Sequence, residues 1–532
     1  MMSHLIPRWI RAQKLLIVLV IISLSLVTTL AACGSSGNGN TTNNGSSKGG
    51  NLVVGLNSDV VTLDPLKSSA LVDRQAMLNM YDTLVGLNAQ GQIVPDLATA
   101  WTNSTPTQLV FTLRTGVTFW DGTPFNADAV VFNINRILNT PSSPRNSELS
   151  TVQSVTATDA THVQFNLKKP FSPLLATLTD RSGMILSPAA VQKAGANLGN
   201  APVGAGSGPF MFSEWVKGDH LLLKRNPHYW MKDSQGVALP YLQSIKYRPI
   251  TNESVEFSNL QTSAINVSDT VAPTDVPTAK SSPNLVYNQA PGLSFFGVML
   301  NTKAAPFTNV HVRQAVEWGV NRQEILNSVL KGIGVIAQGP IAPTSFAFDS
   351  SFAPYSYSVA NAKAALAQGG VPNGITFTLL IASGSPLNAQ EAQFIQAELQ
   401  PAGITVNIKQ ETFATLLNDT DPHIHNFQAA LLGWSGRPDP DGNIYAWFHT
   451  GGGFNSMQYS NPQVDSLLEA ARVTADQGQR AMDYQQAQQL ILQDASYVFI
   501  NHGVNVEAVT NNVKNFTLFP TGILIFTNVY MS

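Results

Sequence analysis

From residue 51 onward the chain alternates short apolar runs with amphipathic stretches, and this alternation constrains the fold more than any other feature. The runs LVVGL (52–56), LVFTLR (109–114), HVQFNL (162–167), FFGVMLN (295–301), TFTLLIA (376–382), TVNIKQ (405–410) and QAALLGW (428–434) have the length and residue types of strands. Helical stretches with readable starts lie between them. Asn388 precedes AQEAQFIQAEL with Glu391 three residues on, a capping-box pattern. Asn461-Pro462 opens a helix with Val464, Leu467, Leu468 and Ala471 on one face. Asn321 and Glu324 repeat the box before Ile325, Leu326 and Val329. Strands alternating with helices specify an α/β class. At 532 residues the chain exceeds one ordinary core, so two or three lobes are expected.

The net charge is −3, so no basic field argues for nucleic acid as a partner. Cys33 is the single cysteine, which leaves no disulfide framework and no cysteine-based zinc site. Its position has another explanation. Arg8, Arg11 and Lys14 precede the apolar run LLIVLVIISLSLVTTL (15–30), and small Ala31 and Ala32 lead to Cys33. This is the pattern of a secretory signal, and its end looks like a bacterial lipobox. That likeness implies cleavage before Cys33, a diacylglyceryl group on it, and attachment to the outer face of the cell membrane by two or three acyl chains. The competing reading is a plain transmembrane anchor, for which the run is near the lower length limit. Residues 34–50, GSSGNGNTTNNGSSKGG, carry no apolar anchor. They read as a flexible linker with a root-mean-square span of roughly 20–25 Å.

The stretch GWSGRPDPDGN (433–443) concentrates the chemistry. A nucleophile elbow, GxSxG, needs a glycine where Arg437 stands. An EF-hand begun at Asp439 needs glycine and glutamate where Ile444 and Thr450 stand. GAGSGPF (204–210) lacks the helix that a dinucleotide fingerprint requires, because Pro209 and a strand-like FMFSEW follow it. His423 and His425 form an isolated HxH in a polar loop, more often solvated than metal-bound. No catalytic group, metal site or cofactor is therefore assigned. Recognition remains. The loop follows an apolar strand, and ligands of open α/β sheets lie beyond the carboxyl ends of strands. Trp434 offers a flat wall with a donor, and Arg437 a fork for a carboxylate. Asp439 and Asp441 either receive an ammonium group or cap neighbouring amides in a turn stiffened by Pro438 and Pro440. The candidate ligand-binding set is Trp434, Ser435, Arg437 and Asp439, with Phe295 and Phe296 at the head of FFGVMLN. Trp434→Ala and Arg437→Ala are each expected to weaken binding without unfolding the chain.

Five separated blocks then add up to a family resemblance. TLDP (62–65) with YDTLV (81–85) and PDLATAW (95–101) comes first, followed by FTLRTGVTFWDGTPFNADAVVF (111–132). PVGAGSGPF with RNPHYW (225–230), LNTKAAPFTNVHVRQAVEWGVNRQEI (300–325) and GWSGRPDPDGN complete the order. The chain resembles the family 5 extracellular solute-binding proteins of ABC importers, the oligopeptide, dipeptide and nickel-binding group. The resemblance implies a periplasmic-binding-protein-like α/β fold of type II, with two lobes joined by a hinge and a smaller third domain. The expected division is signal peptide and lipobox 1–33, linker 34–50, a discontinuous lobe I of 52–84, 201–290 and 496–532, an extra domain of 85–200, and lobe II of 291–495. The implied partners are a peptide or similar small solute and an ABC permease and ATPase complex, with the protein itself a monomer. Dipeptide-type members carry an aspartate where Arg437 stands, which points to a solute with negative charge or a blocked amine. Alternatives are a surface sensor or chaperone-like binder, or a receptor for a non-peptide ligand such as a glutathione-like molecule, an opine or a metal chelate.

Overall fold

The computed structural model describes residues 48–532, so the signal-like segment, Cys33 and nearly all of the expected linker lie outside the described residues. The described chain is built on two large sheets. The first has seven strands, in the order Leu285–Pro291, Val504–Thr510, Val267–Ser268, Asn51–Leu56, Ser244–Pro249, His220–Arg225 and Phe210–Val216. Asn51–Leu56 pairs in parallel with both of its neighbours, and the remaining pairs are antiparallel. The second has six strands, in the order Val335–Ile336, Tyr497–His502, Phe295–Leu300, Ala429–Trp434, Ile375–Ala382 and Ile404–Glu411. Of its parallel strands, Ala429–Trp434 and the second half of Ile375–Ala382 are largely buried, whereas the edge strand Ile404–Glu411 alternates buried and exposed residues. A separate antiparallel sheet of Ala98–Thr105, Gln108–Leu113, His162–Leu167 and Val152–Asp159 carries the helix Ala127–Leu138. Asn126 caps that helix by accepting the amide of Ala129, and Phe111 packs edge-on to Phe165 at 5.2 Å in this third core.

Every apolar run read as a strand is one, because each buries at least one face in a core. Two expectations change. The expected cap at Asn388 moves to Ser385, whose hydroxyl accepts the Asn388 amide, while Pro386 fills the first helical position of Pro386–Leu399. Glu391 is therefore free of any capping duty. The expected return to lobe I at residue 496 comes later. Tyr497–His502 is wholly buried and pairs with Phe295–Leu300 in the second sheet, so the chain re-enters the first sheet only at Val504.

The chain crosses between the large sheets next to itself. It leaves the first sheet after Pro291 and returns through Gly503, and the Gly292 amide donates to the Gly503 carbonyl at 3.3 Å. His502 donates from Nδ1 to the Ser294 carbonyl at 3.0 Å. Burial lowers the His502 pKa to about 4, so the ring is neutral at pH 7 and this bond persists.

Candidate functional site

The parallel strands of both sheets end at one place. Residues 57–61 follow Asn51–Leu56, residues 383–385 follow Ile375–Ala382, Ser435 follows Ala429–Trp434, and Phe413 lies just beyond Ile404–Glu411. All of these line a single cavity of about 1260 Å³, to which the third domain adds Ser143 and Pro144. That volume exceeds the roughly 300–1,000 Å³ of pockets for drug-sized molecules. The walls meet on both sides of the cavity. Ser385 donates to Glu253 of the first lobe, and the Gly453 amide donates to Ser147 of the third domain at 3.0 Å. Further along that seam the Ser172 amide donates to the Arg472 carbonyl at 2.9 Å.

Gly384 marks how closely the two large lobes approach. Its φ is +93°, and a side chain there would begin 2.5 Å from Thr251 Oγ1 across the gap. Gly384→Val is expected to wedge the lobes apart and weaken solute retention at least tenfold. Small-angle scattering of the solute-saturated variant should keep the larger radius of an open form, and a radius matching the parent would reject this contact as the closing one.

The sequence-derived site residues divide into two groups. Trp434, Ser435, Phe295 and Phe296 line the cavity. Trp434 is only 6% exposed, and its indole N–H donates to the Gly442 carbonyl at 3.0 Å and to Asn443 Oδ1 at 3.2 Å. Its ring packs on Phe454 at 4.8 Å and on Trp447 at 5.6 Å. Phe295 is fully buried against Trp447, Tyr497 and Phe499, so it supports the wall more than it presents a surface. Ser435 and Phe296 are half-buried and face the space directly.

Arg437 and Asp439 do not line the cavity, which corrects the expectation that they meet a solute. Arg437 is 7% exposed, and its Nε meets Asp180 Oδ2 at 2.9 Å. Nη1 donates to the Gly436 carbonyl at 2.8 Å, and the guanidinium lies over the Trp434 ring at 4.2 Å. Gly436, at φ +81° and with space for no side chain beside the Leu293 carbonyl, turns the chain behind the wall instead of into the cavity. Asp439 accepts from Arg480 Nη2 at 2.6 Å and from the Asp441 amide at 2.9 Å. Asp441 in turn accepts from two nitrogens of Arg472 at 2.8 and 2.9 Å. Both aspartates thus serve the structural turn.

Arg437 belongs to a buried cluster that sequence reading did not find. Arg74 Nε stands 2.8 Å from Asp180 Oδ2 and Arg181 Nε 3.4 Å from Asp180 Oδ1, and Arg145 Nη1 stands 3.0 Å from Glu148 nearby. Arg74 comes from the first lobe, Asp180, Arg181 and Arg145 from the third domain, and Arg437 from the second lobe. Burial alone would protonate Asp180, but Arg437, Arg74 and Arg181 outweigh it and hold its carboxyl far below the usual range. The available signal was a pair of charges, Asp180-Arg181, standing in an otherwise uncharged run after Phe171.

Comparisons with known proteins agree with this architecture. The family model described as bacterial extracellular solute-binding proteins, family 5 (middle), matches residues 92–455. The chain is 29% identical over 483 residues to the probable D,D-dipeptide-binding periplasmic protein DdpA of Escherichia coli K12, covering 88% of this chain and 92% of that one. It is 28% identical over 482 residues to the glutathione-binding protein GsiB of Salmonella choleraesuis, with the same coverage of 88% and 92%. Among solved structures, the periplasmic binding protein DppA of Helicobacter pylori in complex with the peptide STSA superposes with a TM-score of 0.83 at 28% identity, over 91% of this chain and 98% of that one.

Proposed function

The chain belongs to the bacterial extracellular solute-binding proteins of family 5, and on that premise we propose that it is the receptor of an ABC importer for short peptides. It captures its solute in the cavity between the lobes and presents the closed form to a permease and ATPase complex. One observation carries this reading: a cavity of about 1260 Å³ at the converging strand ends, walled by both lobes and sealed by contacts between them. A peptide-sized solute fits that space, and the names of relatives that bind dipeptides, glutathione or the peptide STSA support the solute class. Its work is closure rather than turnover. A solute that touches both walls stabilises the closed form by its differential affinity for that form. The protein acts as a monomer outside the cytoplasm, and a lipid on Cys33 tethers it to the outer face of the membrane.

Mass spectrometry of solute released from the purified protein tests this directly, with short peptides as the expected species. A bound peptide at one hundred times its dissociation constant should add about 2.7 kcal/mol of stability, read as a raised unfolding midpoint. Absence of both retained peptide and any midpoint shift across a peptide library would sink the peptide reading. Loss of membrane attachment in Cys33→Ser, followed by cell fractionation, is the expected result for the anchor.

A further inference from the structure

The cavity has a charge of its own, and its sign is not the one the sequence suggested. Leu387, Asn388 and Glu391 share a face of Pro386–Leu399 and line the space. Glu391 is 2% exposed, and no hydrogen bond reaches its carboxyl group among the described residues. Glu253, 7% exposed, lines the same cavity from the opposite lobe and accepts from Ser385. The remaining charged lining groups are spoken for or wet. Asp59 accepts from Trp215 Nε1 at 3.2 Å and from the Gly218 amide at 2.7 Å. Asp421 accepts the His423 amide at 2.8 Å, and Lys67 and Lys217 are exposed to solvent. The buried titratable groups of the lining are therefore two carboxyl groups, one from each lobe, with no buried cation among its lining residues.

A buried carboxylate without a partner is costly, so such a group either stays protonated or meets a cation. We propose that Glu391 and Glu253 form the cation-receiving subsite of the cavity, taking the protonated amine of the bound solute. The inference rests on reading the cavity as the solute site and adds the chemistry of one end of that solute. Closure completes the subsite, because the two carboxyl groups come from different lobes. Burial, and then the charge of Glu253, push the Glu391 carboxyl up to about 8, so a proton holds the place of the cation until an ammonium group arrives. Tyr497 is the other titratable group near Glu391, and its hydroxyl is held by the Leu432 carbonyl, so it remains neutral and supplies no counter-charge. With Arg437 committed to Asp180, the structure offers an acid to the solute and no buried base.

The test uses an equimolar library of synthetic tetrapeptides of uncharged residues, the same library with acetylated N-termini, and n-butylamine as a cation without a peptide. The purified protein should retain free over acetylated peptides by at least tenfold, as counted by mass spectrometry, and Glu391→Gln should abolish the preference. Equal retention of the two libraries by the parent protein overturns the cation subsite while the peptide reading stands, and that comparison needs no variant to fold. Retention of neither library, with n-butylamine raising the unfolding midpoint of the parent but not of Glu391→Gln, removes the peptide reading and keeps the subsite. No dependence on Glu391 in any arm removes the subsite.

Discussion

Asp180→Ala should lower the unfolding free energy by about 3–5 kcal/mol, the range for breaking a buried ion pair by removing one partner. The reason is the count of charges left behind. Asp180 meets Arg74, Arg181 and Arg437, and all three guanidinium groups are buried. Without the carboxylate the three guanidinium groups keep only neutral partners, such as Ser68, Ala70 and Gly436, and the more distant Glu148, and gaining water means separating the second lobe from the third domain. The first urea transition of the variant should therefore move to lower concentration. Replacing Arg437 by Met in the same chain should recover part of the loss, since an apolar side chain of similar volume restores packing without an uncompensated charge. If Asp180→Ala unfolds at the parent midpoint, the cluster contributes nothing net. The pH dependence has a definite sign. Asp180 has a folded pKa below the ~3.9 of an unfolded chain, so its contribution is complete above about pH 4 and fades as the pH falls below that value. Between pH 5 and pH 2 the parent should lose stability more steeply than Asp180→Ala.

Trp434→Ala should cost about 3–5 kcal/mol through the void it leaves between Phe454 and Trp447. It also removes the donor that satisfies the Gly442 carbonyl and Asn443 Oδ1. Asn443 accepts the Arg437 amide at 2.7 Å and donates to the Arg437 carbonyl at 3.0 Å, so the damage spreads through the whole loop. The result expected from sequence, weaker binding in a chain of unchanged stability, gives way to loss of both. Trp434→Phe separates the two effects, because it keeps most of the wall and removes only the donor. Calorimetric melting alongside solute titration reads them in one preparation, and an unchanged melting curve for Trp434→Ala would place the indole outside the core.

The strands were legible because a buried strand announces itself locally. TFTLLIA and QAALLGW need no distant partner to be recognised as apolar runs of strand length. The position of the recognition loop was legible for the same reason, as Trp434 ends such a run and ligands gather at strand ends. The roles within the loop were not. Arg437 and Asp180 lie in different domains, and nothing near Arg437 in the chain shows that its fork is occupied. Asp439 likewise meets Arg480, which sits on the long helix Gln477–Asp494. Glu391 was misread for a related reason. Its spacing from Asn388 fits a capping box, while Ser385-Pro386, three residues earlier, starts the helix and leaves the acid facing the cavity. Charged side chains take their meaning from partners far along the chain, and periodicity carries no information about those partners.

The two strand crossings at residues 292–294 and Gly503 run side by side and are tied by the bond from Gly292 to Gly503. Two adjoining pivots define an axis, as the pins of a door do. Rotation about that axis keeps both ties, whereas shear or twist would pull the buried His502 away from Ser294. The lobes are left with one coordinate, an angle. In the importer role proposed above, a membrane partner that grips the rims would sense that angle, so the interior can exchange one cargo for another over evolution while the docking face keeps a single address.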